Sequence, residues 1–196
     1  MDKTKAFAFL LVCSSATAIG GVARPAKSYR LHSKDKSYLA MLTPDRAEAG
    51  QRSSPDGNYH LSVLKVIDSE TKKYRSFWES AFVHVGAMAG KLSDDGEMFV
   101  VVSKFFDAEN PVLWIYQKGI PVQSIYASDL RIDRTKLKPA AGERQAWLSS
   151  EPEAIEIDAG DNAGETRIAI KATDALIYYV LVRADSLGFF RTAGQM

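Results

Sequence analysis

The sequence has a single cysteine, Cys13, among 196 residues. Cys13 lies within the first 18 residues, which have the character of a removable secretory leader. Without that leader the chain has no thiol, so it can form no disulfide, use no cysteine nucleophile and bind no metal through sulfur. The fold is therefore expected to depend on packing.

The chain also lacks the short motifs of common catalytic and cofactor sites. It contains no Gly-x-Ser-x-Gly turn, no glycine-rich phosphate loop, no dinucleotide fingerprint and no His-Glu-x-x-His sequence. We therefore assign no catalytic residue, no cofactor-binding residue and no metal ligand from the sequence, and we expect no cofactor.

Neither sign of charge is in clear excess. The 25 basic residues face 24 acidic ones, and removal of the leader leaves 23 of each. A neutral chain creates no broad field that attracts a polyanion. Nucleic acid is therefore not an expected partner.

The amino terminus predicts export. Met1–Lys5 carries two lysines, Ala6–Val12 is entirely apolar, and Ala16 and Ala18 occupy the two positions that signal peptidase reads. The apolar run is far shorter than the roughly 20 residues of a membrane-spanning helix. We predict a signal peptide ending at Ala18, or alternatively at residue 23, and a periplasmic or secreted mature protein without a membrane span.

A lipoprotein signal is the alternative interpretation of the same segment. Leu10–Cys13 resembles a lipobox, in which the cysteine becomes the lipidated first residue. Val12 argues against this interpretation, because the motif prefers a small residue directly before the cysteine. Lipidation of Cys13 is therefore the less favoured of the two hypotheses.

Residues 19–196 have the composition of one folded domain. The chain is 46% hydrophobic and 25% charged, which is typical of a soluble protein with a core and not of a disordered one. That length buries enough surface to fold without covalent crosslinks. A single β-rich domain is therefore expected over this range.

Asp-Gly pairs precede two apolar runs and predict antiparallel β structure. Ser54–Gly57 stands before Tyr59–Ile67, and Ser93–Gly96 stands before Met98–Val102. Such pairs supply the positive φ values that tight turns between antiparallel strands require. Similar runs recur between turn signals. The predicted strands are Ser37–Leu42, Tyr59–Ile67, Tyr74–Trp78, Ala81–Val85, Met98–Val102, Val112–Tyr116, Ile120–Tyr126, Glu153–Asp158, Thr166–Ala172 and Leu176–Arg183.

Three segments need separate predictions. Alternation within Tyr59–Ile67 places every second residue from Tyr59 to Ile67 on a core face. Gly86–Gly90 is too rich in glycine and alanine for a predicted strand.

Ser128–Glu143 is charged and contains Pro139 and Gly142, so it predicts a crossing loop or a short helix that begins near Ser128. The predicted fold class is mainly β, with antiparallel meanders packed as a sandwich or as partial-propeller-like sheets.

The two Asp-Gly signals also resemble a known repeat. Gly57 and Gly96 are 39 residues apart, close to the roughly 40–45 residues of a propeller blade. Ser-x-Asp-Gly before a valine-rich strand resembles the repeat of many secreted β-propellers, and Ser93–Leu130 is similar to a group of small secreted bacterial proteins of unassigned function. The resemblance covers about residues 53–130. It implies a β fold and export, and it implies no activity.

Several polar residues are candidates for ion binding. His60 and His84 lie on predicted strands of different hairpins, so they could meet across a sheet, whereas His32 is isolated; ordinary strand histidines are the favoured interpretation. An acidic stretch could hold calcium, although a solvated hairpin is favoured. The acidic stretch comprises Glu151, Glu153, Glu156, Asp158, Asp161, Asn162 and Glu165. The basic residues upstream, which we expect to pair with these acids, are Arg131, Arg134, Lys136, Lys138 and Arg144.

Aromatic residues offer a possible ligand surface. Trp78, Trp114, Trp147, Tyr178 and Tyr179 could stack on carbohydrate or peptide, but four of them lie in predicted strands, where core packing explains them. Trp147 lies in an irregular segment, so it either plugs one end of the fold or contacts a ligand. Plugging is favoured, because exposed tryptophan is unusual.

These features favour binding over chemistry. The first hypothesis is a non-catalytic interaction module of the cell envelope that holds a protein or a glycan at a sheet edge or at end loops. The second is an envelope polysaccharide hydrolase that uses carboxylates which the sequence does not identify. A structural accessory subunit is the third.

Overall fold

A computed structural model describes residues 28–44, 57–84, 87–151 and 153–193. The leader, Cys13 and the Ser54–Asp56 part of the first Asp-Gly signal lie outside these residues. The strands are β1 (Tyr29–His32), β2 (Tyr38–Pro44), β3 (Gly57–Asp68), β4 (Lys73–His84), β5 (Met88–Leu92), β6 (Met98–Ser103), β7 (Leu113–Gln117), β8 (Ile120–Ile125), β9 (Lys138–Pro139), β10 (Gln145–Ala146), β11 (Ile155–Ala159), β12 (Thr166–Lys171), β13 (Leu176–Val182) and β14 (Leu187–Ala193).

The strands form meanders, as the sequence predicts. Three sheets have four strands each, in the orders β1-β2-β3-β4, β5-β6-β7-β8 and β11-β12-β13-β14, and β9 pairs with β10 in a small fourth sheet. Every strand of a large sheet therefore pairs with its neighbour in sequence. The predicted mainly β, antiparallel class is confirmed.

The chain divides into two compact units. Among the described residues, the first consists of those within 28–100 and 115–122, and the second of those within 101–114 and 123–193. In the first unit the buried side chains include Tyr59, Leu61, Val63, Phe82 and Phe99. In the second they include Trp147, Ile168, Ile170, Tyr178 and Val180. The expectation of one domain over 19–196 stays a prediction.

The alternation predicted for β3 holds for only half of the strand. Tyr59, Leu61 and Val63 are buried, but Ile67 is 50% exposed. The β3–β4 register shifts between Val63 and Leu64 and again between Val66 and Asp68. A bulge of this kind changes which face the following side chains occupy. The prediction that Ile67 lies on the core face was therefore wrong, whereas Lys65, which is half-buried and pairs with Tyr38 in an unshifted β2–β3 register, stays in phase with Leu61 and Val63.

Other differences concern element boundaries. The predicted strand Ala81–Val85 is not separate, because β4 continues without a break from Lys73 to His84. Gly86–Gly90 was excluded as a strand, yet β5 begins at Met88. A side chain at Gly90 would approach Phe99 Cζ at 3.3 Å, so close packing explains the small residue in this strand. The terminal strands β1 and β14 were not predicted.

The segment over residues 128–143 is mostly loop. It contains one short 3₁₀ helix, Arg134–Lys136. The helix starts six residues after Ser128, because the Asp133 carboxylate accepts a hydrogen bond from the Thr135 amide at 3.0 Å and caps the turn there. The predicted helix start near Ser128 was therefore wrong.

Two turns in the first unit share one hydrogen-bond pattern. In the β5–β6 turn, Ser93 Oγ donates to the Asp95 carboxylate at 2.5 Å and accepts from the Met98 amide at 2.9 Å. In the β1–β2 turn, Ser33 Oγ donates to Asp35 at 2.6 Å and accepts from the Tyr38 amide at 3.0 Å. Each turn therefore joins the first two strands of a four-stranded sheet by the same side-chain chemistry.

The two Ser-Asp turns differ at their fourth residue, which has positive φ in both. That residue is Gly96 in one turn and Lys36 in the other. A Cβ atom at Gly96 would lie 2.3 Å from Tyr38 Cδ1. The Gly96 carbonyl also accepts a hydrogen bond from the Trp78 indole at 2.7 Å. Gly96 thus satisfies a backbone and a packing requirement at once.

Replacement of Gly96 by alanine tests this close approach. Because the methyl group would collide with the Tyr38 ring and would also disfavour positive φ, we expect Gly96→Ala to lower the free energy of unfolding by about 2–4 kcal/mol. Gly142→Ala is the control, because Gly142 has the same φ of 71° and no atom within 4 Å. That control should cost only about 1 kcal/mol. Equal losses in urea unfolding would contradict the proposed collision.

Candidate functional site

The acidic stretch does not gather into one cluster. Glu156 lies 3.1 Å from Lys171, Asp158 and Asp161 lie 4.0 and 3.8 Å from Arg167, and Glu165 lies 2.7 Å from Arg183. The described residues contain no group of three or more His, Cys, Asp and Glu side chains that could hold a metal ion. The calcium hypothesis therefore has no support in this geometry.

The basic partners of these acids also differ from the expectation. Arg167 and Lys171 lie on β12, and Arg183 lies in the turn that follows β13, so these cations are not the basic residues upstream. Lys136 instead approaches Asp133 at 3.8 Å. Antiparallel pairing brings Arg167 opposite Asp158. Glu156, Asp158, Asp161 and Glu165 therefore have partners other than the upstream residues predicted for them.

Glu165 is the one buried carboxylate of the stretch. Its side chain is 3% exposed and accepts a hydrogen bond from Arg183 Nε at 2.7 Å. Burial opposes ionisation, but the Arg183 and Asn162 hydrogen bonds and the Arg183 charge hold the pKa of Glu165 below its ordinary value. Its backbone closes the turn, because the Gly160 amide donates to the Glu165 carbonyl at 2.8 Å. Glu165 has a structural role here.

The backbones of His60 and His84 do not lie where the sequence predicts. His60 and His84 lie on β3 and β4 of one hairpin, not on different hairpins as predicted. The register pairs His60 with Ala81 and His84 with Gly57, so their backbones are three rungs apart. The His60 imidazole lies 3.2 Å from the Glu79 carboxylate.

Four of the five singled-out aromatic residues belong to the core. Trp147 is fully buried and meets Tyr178 edge to face at 5.8 Å, as the favoured packing role requires. Burial and a hydrogen bond to Asp174 raise the pKa of Tyr178 to about 12. Trp78 and Trp114 are also buried. Tyr179 is the exception, because it lies half-buried on the opposite face of its sheet from Tyr178.

Strand β14 is an edge with exposed aromatic residues. Within the described residues it pairs only with β13. Phe189 and Phe190 are 39% and 43% exposed. Single exposed apolar residues are ordinary, but adjacent ones on an unpaired edge offer a template for another strand. This edge is the candidate functional site.

The alternation of hydrogen-bonded pairs between β13 and β14 shows which backbone groups of β14 point away from the sheet. The Arg183 amide donates to the Ser186 carbonyl at 3.0 Å at the start of the β13–β14 hairpin. Bonded and non-bonded pairs alternate along an antiparallel ladder. Gly188 and Phe190 therefore bond to β13, whereas the amides and carbonyls of Phe189 and Arg191 point away from the sheet. These outward groups are available to a fifth strand.

A column of side chains crosses the exposed face toward the same edge. The Arg167 guanidinium lies 5.9 Å from the Tyr179 ring centroid, and Tyr179 stacks on Phe190 at 4.6 Å with an interplanar angle of 12°. Tyr179 and Phe190 are directly opposite in the register. Arg167 occupies one end of the column. Phe190 stands at the other end, beside the open edge.

Sequence reasoning missed this site because it did not predict β14. The signal was present in Gly188-Phe189-Phe190, a short aromatic run two residues after a polar turn. The column also needs the pairing of three strands, which no local pattern contains.

Comparisons with family models, with curated proteins and with solved structures find no match to this chain. Among the described residues, no helix has the length and apolar character needed to cross a bilayer. The candidate site therefore has to be judged on its geometry.

The Glu165–Arg183 pair predicts a pH dependence of stability. Since the pKa of Glu165 is lower in the folded state, its carboxylate stabilises the fold above the ordinary glutamate range, and this contribution is lost as the pH falls through the folded-state value. We expect Glu165→Gln to destabilise the protein at neutral pH and to matter less in acid. Urea unfolding across this pH range measures it. Asp158→Asn, which changes an exposed pair at 4.0 Å, should have a smaller effect at neutral pH.

Hydrogen exchange tests the assignment of open backbone groups. We expect the amides of Phe189 and Arg191 to exchange at least about tenfold faster than those of Gly188 and Phe190, because only the latter two bond to β13. Residue-specific exchange by NMR measures the difference. The reverse order would show that the opposite set of groups faces outward.

Proposed function

We propose that this chain is a non-catalytic binding module of the cell envelope, and that it holds an extended segment of another envelope protein as a fifth strand on β14. The observation that carries the proposal is the aromatic column that ends at Phe190 beside unpaired backbone groups. In strand addition, main-chain hydrogen bonds supply affinity and side-chain contacts supply specificity. Export is supported by the leader-like amino terminus.

The column indicates what the partner segment should carry. Phe190 forms a hydrogen-bonded pair with Tyr179, so it would form a non-hydrogen-bonded pair with an added strand, in which side chains lie closer together. A residue opposite Phe190 would continue the order Arg167, Tyr179, Phe190. Aromatic and arginine side chains fit this position, because both stack on aromatic rings.

The geometry gives the hydrolase hypothesis no comparable support. A glycosidase needs a carboxylic acid whose pKa is raised so that it can donate a proton. Hydroxyl groups of Ser33, Thr71 and Thr135 hydrogen-bond to aspartates and lower the pKa values of Asp35, Asp68 and Asp133. These carboxylates serve turns.

Selection from a phage-displayed library of random 12-residue peptides tests the proposal. We expect enriched peptides with an aromatic residue or arginine, and about 3- to 10-fold weaker binding to Phe190→Ala, because one stacked aromatic contact is lost. Phe77→Ala is the matched control, since Phe77 is 40% exposed and lies on β4 in the first unit. Binding that is equally weakened by both variants would contradict a site on β14.

A second pair of variants separates backbone pairing from side-chain contact. Phe189→Pro removes an outward amide without removing a β13 hydrogen bond, so it should abolish peptide binding, whereas Phe189→Ala should retain it. Bound peptide should also slow exchange of the Phe189 and Arg191 amides. Sedimentation that shows a β14-dependent dimer, or binding of a glycan in place of any peptide, would overturn the proposal.

A further inference from the structure

The outer end of the β3–β4 hairpin, residues 65–77, exposes apolar side chains; we name it the hairpin tip. Ile67 is 50%, Tyr74 38% and Phe77 40% exposed. The register shift between Val66 and Asp68 leaves Ile67 without a partner in the register. Phe77 likewise has no cross-strand partner, because Val63 pairs with Trp78 and Leu64 pairs with Ser76. The centroid of the Phe77 ring lies 5.1 Å from that of the Tyr38 ring. Two of the three exposed side chains, Ile67 and Phe77, therefore lie at the β-bulges of the hairpin.

The hairpin tip also carries cations that have no acidic partner. Its basic residues are Lys65, Lys72, Lys73 and Arg75, and the ion pairs among the described residues include none of them. Lys65 is directly opposite Arg75. Like charges in this position destabilise a sheet. An anionic surface would relieve this repulsion.

The acids of the hairpin tip do not neutralise it. Asp68 accepts hydrogen bonds from the Glu70 and Thr71 amides at 2.9 and 3.2 Å and from the Thr71 hydroxyl at 2.6 Å. Its carboxylate is thus engaged in shaping the turn. With Glu70 as the other acid, four basic residues face two acidic ones, and the formal charge of the tip is +2.

We propose that the hairpin tip docks on the surface of an anionic lipid bilayer. Lysines attract anionic headgroups, and Tyr, Phe and Ile side chains enter the boundary between headgroups and acyl chains. An anionic bilayer complements the hairpin tip in two ways. Its headgroups match the cations that lack an acidic partner, and its acyl chains match the exposed apolar side chains of the same short segment. A nucleic acid would use the cations but not Ile67. This inference uses no residue of β14 and goes beyond strand addition.

Co-sedimentation with vesicles tests the docking of exported, leader-free protein. We expect binding to vesicles that contain phosphatidylglycerol, little binding to pure phosphatidylcholine, and at least about tenfold weaker binding after Lys72→Glu with Lys73→Glu. Lys136→Glu with Lys138→Glu is the matched control, with the same change in net charge at exposed positions of the second unit. Tyr74→Ser should also weaken binding, by about 3-fold or more.

Four results would overturn the inference. These are equal binding to neutral vesicles, equal loss in the two double variants, competition by inorganic phosphate at about 10 mM, and preference for a single-stranded oligonucleotide over vesicles. Circular dichroism and urea unfolding confirm that the variants keep the fold. Because the hairpin tip and β14 are tested by different variants, failure here leaves the peptide-binding proposal open to its own test.

Discussion

The Ser-Asp turns fix the alignment of strand pairs in the first unit. In each turn a serine hydroxyl donates a hydrogen bond to the aspartate two residues later and accepts one from the amide five residues later. These bonds fix the register between the two strands that the turn connects. The turns are also joined, because the Asp94 carboxylate accepts hydrogen bonds from the Lys34 and Asp35 amides at 2.9 and 3.3 Å. Tyr38 then packs on Gly96, and Phe77 packs on Tyr38. The position of the hairpin tip follows from these contacts.

Local chemistry explains which parts of the fold could be predicted. The turn at Asp95-Gly96 depends on a glycine with positive φ within the turn itself, so the local sequence contains the cause. The bulge after Val63 depends on β4 instead. β3 begins at Gly57, two residues before the predicted start at Tyr59, and Ile67 is exposed where the register with β4 shifts between Val66 and Asp68. Sequence alternation cannot report such a shift.

The candidate site was harder to predict than the fold, because its residues meet only through strand pairing. Arg167, Tyr179 and Phe190 lie on three strands and form one column on the exposed face. The acidic stretch shows the same limit. In the sequence its acids are candidates for calcium binding. Strand pairing instead places a cation next to several of them, and these cations are Arg167, Lys171 and Arg183. Cross-strand neighbours decided both outcomes.

Net charge is a poor guide to where this chain can bind a charged surface. The chain is close to neutral, which argues against a general attraction for polyanions. Most acids of the second unit's β11–β12 region face cations at 2.7 to 4.0 Å, so their charges are largely compensated where they stand. The cations of the hairpin tip have no such partners. Salt screens the interaction between exposed charges beyond roughly 10 Å. An anionic surface at the hairpin tip is therefore attracted by Lys72 and Lys73, and the net charge of the whole chain has little effect.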